Sequence, residues 1–222
     1  MAVLNQKTIN QDITFNGVGL HSGLAVTMTV KPAAPNTGII FKRIDLKENN
    51  VVVPNLFNVS SAVFCTTISN DHGVSVSTIE HLMGALYGLG IDNALIEIDN
   101  QEVPILDGSA LPFLEILKTA GRKMQAEERI YFEIEENFRY YDAEKDAEIL
   151  GLPANDLQLN VMLDYGSSTL GKQYATLNSL EHFETEIAKC RTFCFLHELA
   201  YLAQNNLIKG GSLDNALVIA DA

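Results

Sequence analysis

Hydrophobic and polar residues alternate in several short stretches of the first hundred residues. A period of two is typical of strands that bury one face. The stretches with this pattern are residues 8–15, 24–31, 38–44, 64–69, 74–77 and 93–99. The sequence NDHG at 70–73 is rich in residue types that favour a turn, so it is predicted to join two of these strands. The chain is therefore expected to begin with an antiparallel sheet.

Apolar residues at spacings of three and four predict two helices in the same half. Thr78 is expected to cap the first helix, and Gly90 is expected to end it. The second helix is predicted over residues 110–120, after the turn PILDGS. The apolar face of the first helix consists of Ile79, Leu82, Met83, Leu86 and Leu89.

Residues 121–129 are polar and lack apolar periodicity, so they are predicted to form a linker. The linker divides the chain into domains of residues 1–120 and 130–222. The second domain is predicted to repeat the order of strands followed by helices, which makes the fold class α+β. Its strands are predicted at residues 130–135, 147–152, 157–163, 173–177 and 216–219, and its helices at residues 180–188 and 196–204.

Composition and charge narrow the class of protein. The 222 residues are 47% hydrophobic and 19% charged, as in a soluble globular protein. No apolar run approaches the roughly 20 residues that span a bilayer, and the N-terminus lacks the features of a signal peptide. These patterns predict a cytoplasmic protein. A formal net charge of −13 disfavours nonspecific binding to nucleic acid, which requires clustered Lys and Arg.

The chain has three cysteines, Cys65, Cys190 and Cys194. The last two are separated by three residues, which is not the spacing of a redox dithiol or a zinc knuckle. All three are therefore predicted to be buried thiols.

The dipeptide Glu80-His81, at the start of the first predicted helix, is the strongest chemical signal in the chain. An imidazole can hold Zn²⁺, and a nearby carboxylate can serve as the general base of a hydrolysis. A metal site needs two or three more ligands, and a single Glu-His pair on a helix is more often structural than catalytic. Both interpretations remain open from these two residues alone.

Seven short motifs in order along the chain resemble one known family, the UDP-3-O-acyl-N-acetylglucosamine deacetylases. Each motif is weak by itself, but together they extend over nearly the whole chain. The motifs are GVGLHSG at 17–23, PNTG at 35–38, STIEHL at 77–82, GIDN at 90–93, PILDGSA at 104–110, RTF at 191–193 and GGSLD at 210–214.

The resemblance implies a function and a fold. Members of the family are zinc amidohydrolases that remove acetate from UDP-3-O-(3-hydroxyacyl)-N-acetylglucosamine in lipid A biosynthesis. The implied cofactor is therefore Zn²⁺, and the implied partner is a UDP-linked acylated amino sugar. Family members consist of two β-α-α-β domains whose helices pack between layers of sheet, in agreement with the predicted element order.

The resemblance also implies roles for individual residues. His81 matches a zinc ligand, Glu80 matches the carboxylate that takes a proton from the metal-bound water, and Thr192 matches a hydroxyl that stabilises the oxyanion. Phe64 and Cys65 match the mouth of the active site, and Phe193 matches a ring in the substrate cleft. Residues matching the lining of the acyl-chain passage are Phe195, Leu196, Leu199, Ile208, Gly211, Ser212 and Val218.

Two of these assignments have simpler alternatives. The spacing of Leu196, Leu199 and Leu202 would equally suit an ordinary core. His21 matches a family histidine near the cleft, but it could also simply complete a turn.

The sequence departs from the family pattern at its end. The family's other zinc ligands come from a His-Lys-x-x-Asp motif, and its general acid is a further His, all beyond the last strand of this chain. His182 and His197 do not match that motif and are predicted to be surface helix residues. We therefore expect a truncated form with an incomplete second domain, inactive or nearly so as written.

Two other functions compete with the deacetylase. A non-catalytic module could use the passage to bind a lipid or a partner. A small-molecule kinase is the weaker alternative, because Gly210-Gly-Ser212 is too short for a phosphate-binding loop.

Overall fold

A computed structural model describes residues 4–220 of the chain. Residues 4–128 contain ten strands and two α-helices, with a 3₁₀ turn at Leu56–Asn58. In chain order, these strands and helices are β1 (Asn5–Ile9), β2 (Ile13–Val18), β3 (Ala25–Pro32), β4 (Ile39–Arg43), β5 (Val51–Val52), β6 (Val59–Ser61), β7 (Thr67–Ser69), β8 (Ser75–Val76), α1 (Glu80–Gly88), β9 (Ala94–Ile98), α2 (Leu111–Ala120) and β10 (Arg122–Glu128).

A five-stranded sheet with the order β2-β3-β9-β4-β5 forms the centre of this half. Strands β4 and β9 are parallel, and the other neighbours are antiparallel. Because side chains alternate along a strand, one face of the sheet carries a continuous apolar layer. Met28, Phe41 and Ile96 on this face are fully buried.

Helices α1 and α2 cover that face and contact each other. Helix α1 buries Leu82 and Leu86, whereas α2 buries Phe113, Leu114 and Leu117. As predicted, α1 ends before Gly90, whose φ of 65° is left-handed and is accessible to glycine without a steric penalty. The packing holds the N-terminus of α1, with Glu80 and His81, at one edge of the core.

A small sheet lies beside the start of α1. Strands β6, β7 and β8 pair in that order, and all pairs are antiparallel. Ser77, which follows β8, forms an isolated bridge with Glu102. The sheet therefore joins the segment of Phe64 and Cys65 to the segment that begins α1.

The predicted linker is a strand. Residues Arg122–Glu128 form β10, which pairs with β1 in an antiparallel register that includes Lys7↔Met124. The linker prediction is wrong because nearly all of β10 is exposed, so its sequence lacks the alternation that reveals a half-buried strand. Gln125 is the exception, and it accepts a hydrogen bond from the buried Asn93 side chain at 2.8 Å.

The described part of the second half contains strands and several short helices. Its strands and α-helix are β11 (Phe138–Asp142), β12 (Ala147–Gly151), β13 (Leu159–Asp164), β14 (Lys172–Leu177), β15 (Phe193–Phe195), α3 (Leu199–Gln204) and β16 (Leu217–Ile219). Residues Leu180–His182 and Leu196–Glu198 form 3₁₀ turns, and Phe183–Ile187 forms a π-helix.

The pairing in this half is local. Strands β11 and β12 form one antiparallel hairpin, and β13 and β14 form another. Strands β15 and β16 are parallel and are connected through α3. Phe183 is one link to the first half, because its ring packs against Gly84 and Gly88 of α1.

The α+β class is confirmed, and most predicted elements of the first half are present. The predicted strand at residues 8–15 is two strands, β1 and β2, separated by a turn. Residues 130–135 form no strand, whereas β5, β6, β10, β11 and β15 were not predicted. Cys190 is exposed, so the prediction that all three cysteines are buried is wrong for this residue. The division into domains of residues 1–120 and 130–222 remains a prediction, and residues 1–3 and 221–222 of those ranges lie outside the described part. No helix within residues 4–220 is long and apolar enough to cross a membrane.

Candidate active site

Glu80 and His81 are the first two residues of α1, and both side chains are half-buried. The backbone N–H of Thr66 donates a hydrogen bond to Oε2 of Glu80 at 3.1 Å. The carboxylate is therefore held against the loop of Phe64 and Cys65, which the sequence predicted at the mouth of the site.

His81 is in an environment that favours the neutral imidazole. Burial lowers the pKa of His81, and the nearby charges of Glu80 and Asp107 offset only part of this effect. Its usual pKa is about 6.5, so the lowered pKa leaves the ring uncharged at pH 7. A neutral imidazole has the free lone pair that a metal ligand requires.

Glu102 anchors the backbone segments around Glu80 and His81. It is buried, and it accepts hydrogen bonds from the N–H groups of His21 at 2.9 Å and Ser22 at 2.7 Å. The Thr78 hydroxyl donates to the same carboxylate at 3.0 Å. A side chain at Gly19 would overlap the Glu102 carboxylate, so only glycine allows this close approach. Glu102 thus links the GVGLHSG turn to the residues that begin α1.

The predicted N-cap at Thr78 is wrong. The N-cap residue is Ile79, which makes no side-chain capping bond. Thr78 instead has a left-handed φ of 57° and uses its hydroxyl to bind Glu102. From the sequence, Thr78 resembled an N-cap residue. The sequence alone does not show that its hydroxyl instead binds the carboxylate of Glu102, 24 residues later.

Backbone strain is concentrated in the predicted site. Within residues 4–220, eight residues other than glycine have a positive φ, and four of these are Asn or Asp, which tolerate that conformation. The other four lie in or beside predicted site segments. They are Phe64, Thr78, Leu106 and Ile208, with φ between 52° and 61°. Such conformations cost about 1–3 kcal/mol each and often mark functional sites.

The RTF motif of the second half docks onto the PILDGSA turn of the first. The backbone N–H of Thr192 donates to the Gly108 carbonyl at 2.8 Å, and Nε of Arg191 donates to the Asp107 carbonyl at 2.8 Å. Gly108 has a φ of 84°, and a side chain there would overlap the carbonyl oxygen of Asn215. Thr192 is thereby fixed beside Asp107, whose charge acts on His81.

The neighbouring groups Cys65, Glu102 and Glu80 raise the pKa of His21. Both ring nitrogens of His21 are buried, and neither makes a hydrogen bond of normal geometry within residues 4–220. The Cys65 thiol is nevertheless close enough to raise the pKa of His21, and this effect exceeds the opposing effect of burial.

Aromatic rings line the segment that was predicted as the acyl-chain passage. Phe193 and Phe195 contact each other edge to face, with ring centroids 5.7 Å apart, and Tyr165 lies 5.4 Å from Phe193. The ring of Tyr201 is 6.4 Å from that of Phe64. Sequence reasoning missed Tyr165 and Tyr201, because single tyrosines in a hairpin loop and on a short helix carry no distinctive pattern.

The remaining predicted passage residues lie around α3 and β16. Leu196 and Leu199 flank the start of α3, and Val218 pairs with Cys194 in the β15–β16 register. Ile208, Gly211 and Ser212 form the loop before β16. In this loop Gly211 N–H donates to the Ile208 carbonyl at 2.9 Å, and Ser212 N–H donates to the Asn215 side chain at 2.8 Å.

The described residues do not make a complete zinc site. Within residues 4–220, no group of three or more His, Cys, Asp or Glu side chains could hold a metal ion. His81 suits a single ligand position, whereas a catalytic zinc usually has three protein ligands. His182 and His197 are both exposed, as predicted, and do not join His81.

Comparison with known proteins identifies the family. The chain belongs to the UDP-3-O-acyl N-acetylglycosamine deacetylase (LpxC) family, which it matches over residues 6–222. A relative from Haemophilus influenzae (strain PittEE), named UDP-3-O-acyl-N-acetylglucosamine deacetylase, is 41% identical over 222 residues. That match covers 99% of this chain and 72% of the relative.

Two more relatives carry the same name. The relative from Actinobacillus succinogenes is 41% identical over 220 residues, and the match covers 98% of this chain and 72% of the relative. The relative from Vibrio parahaemolyticus is 39% identical over 222 residues, and the match covers 99% of this chain and 72% of the relative. The family resemblance inferred from the motifs is thus confirmed.

Proposed function

We propose that this protein is a zinc-dependent deacetylase that removes acetate from UDP-3-O-(3-hydroxyacyl)-N-acetylglucosamine in lipid A biosynthesis, in the cytoplasm. The observation that carries the proposal is the Glu80–His81 pair, held at the strained start of α1 in a chain of the deacetylase family. The relatives are named UDP-3-O-acyl-N-acetylglucosamine deacetylases, which supports the reaction and the substrate.

Glu80 is proposed as the general base that takes a proton from the attacking water. A general base must lie within hydrogen-bond reach of that water, with its carboxylate oriented. The bond from Thr66 N–H to Glu80 supplies the orientation, because it ties the carboxylate to the loop at the mouth of the site.

His81 is proposed as a zinc ligand, supported by its neutral, half-buried imidazole. Zinc in such a site would supply Lewis acidity toward the amide. Residues 4–220 offer one such ligand and not the three that a catalytic zinc usually has. We propose instead that the 222-residue chain alone binds zinc weakly and is inactive or nearly so.

Thr192 is proposed to donate its hydroxyl to the negative oxygen that forms when water attacks the amide. Its backbone is held on both sides, by its bond to Gly108 and by the Leu217 N–H that donates to the Thr192 carbonyl at 3.0 Å. The aromatic residues around Phe193 and Phe195 are proposed to contact the acyl chain, which is apolar and fits such a lining.

The test compares the 222-residue chain with a chimera that continues after Ala222 with the region of the Haemophilus influenzae relative beyond the match. Zinc affinity and acetate release from the UDP-sugar are measured for both. We expect the chimera to be active with zinc and the 222-residue chain to be nearly inactive. Glu80→Ala in the chimera should lower kcat by at least 10²-fold, the lower end of what a catalytic acid or base contributes.

Glu115→Gln is the matched control, since Glu115 is an exposed carboxylate on α2. It should leave kcat unchanged. A chimera that binds zinc but leaves the substrate intact, or one whose activity is indifferent to Glu80→Ala, would contradict the proposal.

The single metal ligand among the described residues favours one alternative, a non-catalytic module that binds a lipid or a partner. Binding of a 3-hydroxyacyl chain by the 222-residue protein in the presence of a chelator, together with an inactive chimera, would support this alternative.

A further inference from the structure

Glu102 is a carboxylate that is buried without a cation. Its exposed fraction is 2%, and among residues 4–220 no Lys, Arg or His side chain forms an ion pair with it. Burying a charge is costly unless hydrogen bonds replace the water that the charge loses. The hydrogen bonds to this carboxylate therefore show what Glu102 holds together.

Three hydrogen bonds to the Glu102 carboxylate come from two different segments. Oε1 accepts from the His21 N–H at 2.9 Å and from the Thr78 hydroxyl at 3.0 Å. Oε2 accepts from the Ser22 N–H at 2.7 Å. His21 and Ser22 belong to the GVGLHSG turn, whereas Thr78 lies two residues before Glu80. The carboxylate therefore joins the turn to the segment that leads into α1.

The backbone on either side of Glu102 pairs with the same segment. Ser77 forms a parallel bridge with Glu102, in which the Ser77 N–H donates to the Gln101 carbonyl at 2.9 Å and the Val103 N–H donates to the Ser77 carbonyl at 3.0 Å. Ser77 is thus fixed through its backbone, and the next residue, Thr78, is fixed through the Glu102 side chain. Both contacts act directly before the helix begins.

Thr78 connects Glu102 to the start of α1. Its φ of 57° is unusual for a β-branched residue, so the surrounding structure has to stabilise this conformation. The N-cap residue, Ile79, makes no side-chain capping bond, and Glu80 follows it with a carboxylate that accepts the Thr66 N–H at 3.1 Å. Within residues 4–220 no hydrogen bond joins Glu102 to Glu80 directly. An influence of Glu102 on Glu80 therefore passes through Thr78.

We propose that Glu102 is a positioning residue of the candidate active site. Its carboxylate holds Thr78 in the left-handed conformation and thereby fixes the positions of Glu80 and His81 at the start of α1. The catalytic consequence of this role rests on the proposed function. The positioning itself can be measured without any activity.

The role requires a carboxylate, because every partner of Glu102 is a hydrogen-bond donor. A glutamine at this position would have the same shape but only one acceptor oxygen. Either orientation of its amide would direct the NH₂ group at a backbone N–H, that of His21 or that of Ser22. Glu102→Gln therefore breaks the link with the smallest change in volume.

The first experiment measures amide hydrogen exchange by NMR in the 222-residue protein and in its Glu102→Gln variant. Loss of a hydrogen bond makes local opening of the backbone easier, so the amides of His21 and Ser22 should exchange about tenfold faster. The amide of Thr66 makes no bond to Glu102, but it donates to Glu80. If Glu102 positions Glu80, the Thr66 amide should also exchange about tenfold faster.

Asp99→Asn is the matched control, because the Asp99 carboxylate also accepts a backbone N–H, that of Thr27 at 2.7 Å. This variant should speed exchange at Thr27 and leave Thr66 unchanged. Every rate is compared with that of Ile96, a fully buried residue of the central sheet whose amide reports global unfolding. The proposal is overturned if Glu102→Gln speeds the amides of the turn but changes the Thr66 rate no more than the Ile96 rate.

Two substitutions at Thr78 test the same link and decide the question if Glu102→Gln does not fold. Thr78→Val removes the hydroxyl but keeps a β-branched side chain, so the backbone strain is retained. It should speed exchange at Thr66 and leave the amides of the turn close to their wild-type rates. Thr78→Ser keeps the hydroxyl and should keep the wild-type rate at Thr66. Equal Thr66 rates in these two variants would contradict the proposal.

The catalytic consequence is measured in the chimera with the Haemophilus influenzae region. A positioning residue does not bind the substrate, so Glu102→Gln should lower kcat by about 10- to 100-fold and change KM by less than about twofold. Asp99→Asn should leave both constants unchanged. An unaffected kcat in an active chimera would overturn the role in catalysis. A chimera that is inactive without any substitution contradicts the proposed function instead, and the exchange rates then decide the positioning role.

Discussion

The two regions of the molecule, residues 4–128 and residues 129–220, differ in how deeply their strands are buried. In the first region, alternate residues of β9 are buried against α1 and α2. In the second, all six residues of β13 are exposed, although four of them are large and hydrophobic. Strands rich in apolar residues thus form the core in one region and an uncovered hairpin in the other.

The difference shows where the stability of residues 4–220 resides. The main apolar cluster draws its fully or nearly buried residues from the first region, and within the described chain the second region adds Leu177, Phe183 and Ala188. The second region is therefore attached to an independently built core rather than sharing it equally. Experiments on matched residues of the two regions can test this difference.

The largest expected effect is the loss of a core ring. Phe41→Ala in β4 removes a fully buried side chain, and such changes typically cost about 3–5 kcal/mol. Met162→Ala in β13 truncates a side chain that is 56% exposed, and we expect a change within about 0.5 kcal/mol. The free energy of unfolding from urea titrations measures both. Similar losses for the two variants would show that β13 is buried in solution.

The next prediction concerns the contact between the regions, where Phe183 packs on two glycines of α1. A methyl group at Gly88 would overlap the Phe183 ring, so Gly88→Ala should destabilise by about 1–3 kcal/mol. A methyl group at Gly84 would lie 3.5 Å from the same ring, an ordinary contact. Gly84→Ala should therefore stabilise by about 0.5–1 kcal/mol through helix propensity.

The two glycine variants are controls for each other, because both lie on α1 under the Phe183 ring at different distances from it. Phe183→Leu shortens that side chain and should remove most of the penalty of Gly88→Ala. If Gly84→Ala and Gly88→Ala change the free energy of unfolding equally, Phe183 does not pack on α1 as described.

The smallest effect is a pH dependence. Nε and one terminal nitrogen of Arg43 donate to Asp45, and this bond holds the pKa of Asp45 below its usual value, against the opposing effect of burial. Because the folded pKa is lowered, the contribution is present above the unfolded pKa of about 4 and is lost as the pH falls through the folded pKa.

Comparison with the second region tests this prediction. Asp45→Asn should reduce the loss of stability between pH 5 and pH 3. Glu148→Gln breaks a similar pair with Arg139 on β11, but that pair is exposed and should contribute nothing measurable. Unfolding free energies at both pH values measure the effect. An unchanged pH dependence for Asp45→Asn would show that the Arg43 pair does not contribute.

Local patterns in the sequence were enough to predict β3, β4, β9, α1 and α2. Each of these elements buries one face, so the solvent imposes a period of two or of 3.6 on its residues. The same reasoning failed for β10 and β11, because exposed strands need no such period. The motifs also identified the family and the Glu80–His81 pair, since these depend on residue identity at short spacing.

Only the tertiary structure decided which distant residues meet. It brings Glu102 to Thr78 and His21, docks Thr192 on Gly108, and places Phe183 over Gly88. The physical reason is that a hydrogen bond or a packing contact requires two groups to meet, whereas a single segment specifies only one of them. The sequence by itself determined the apolar faces and the chemical groups available, and the packing of those faces determined which groups lie together.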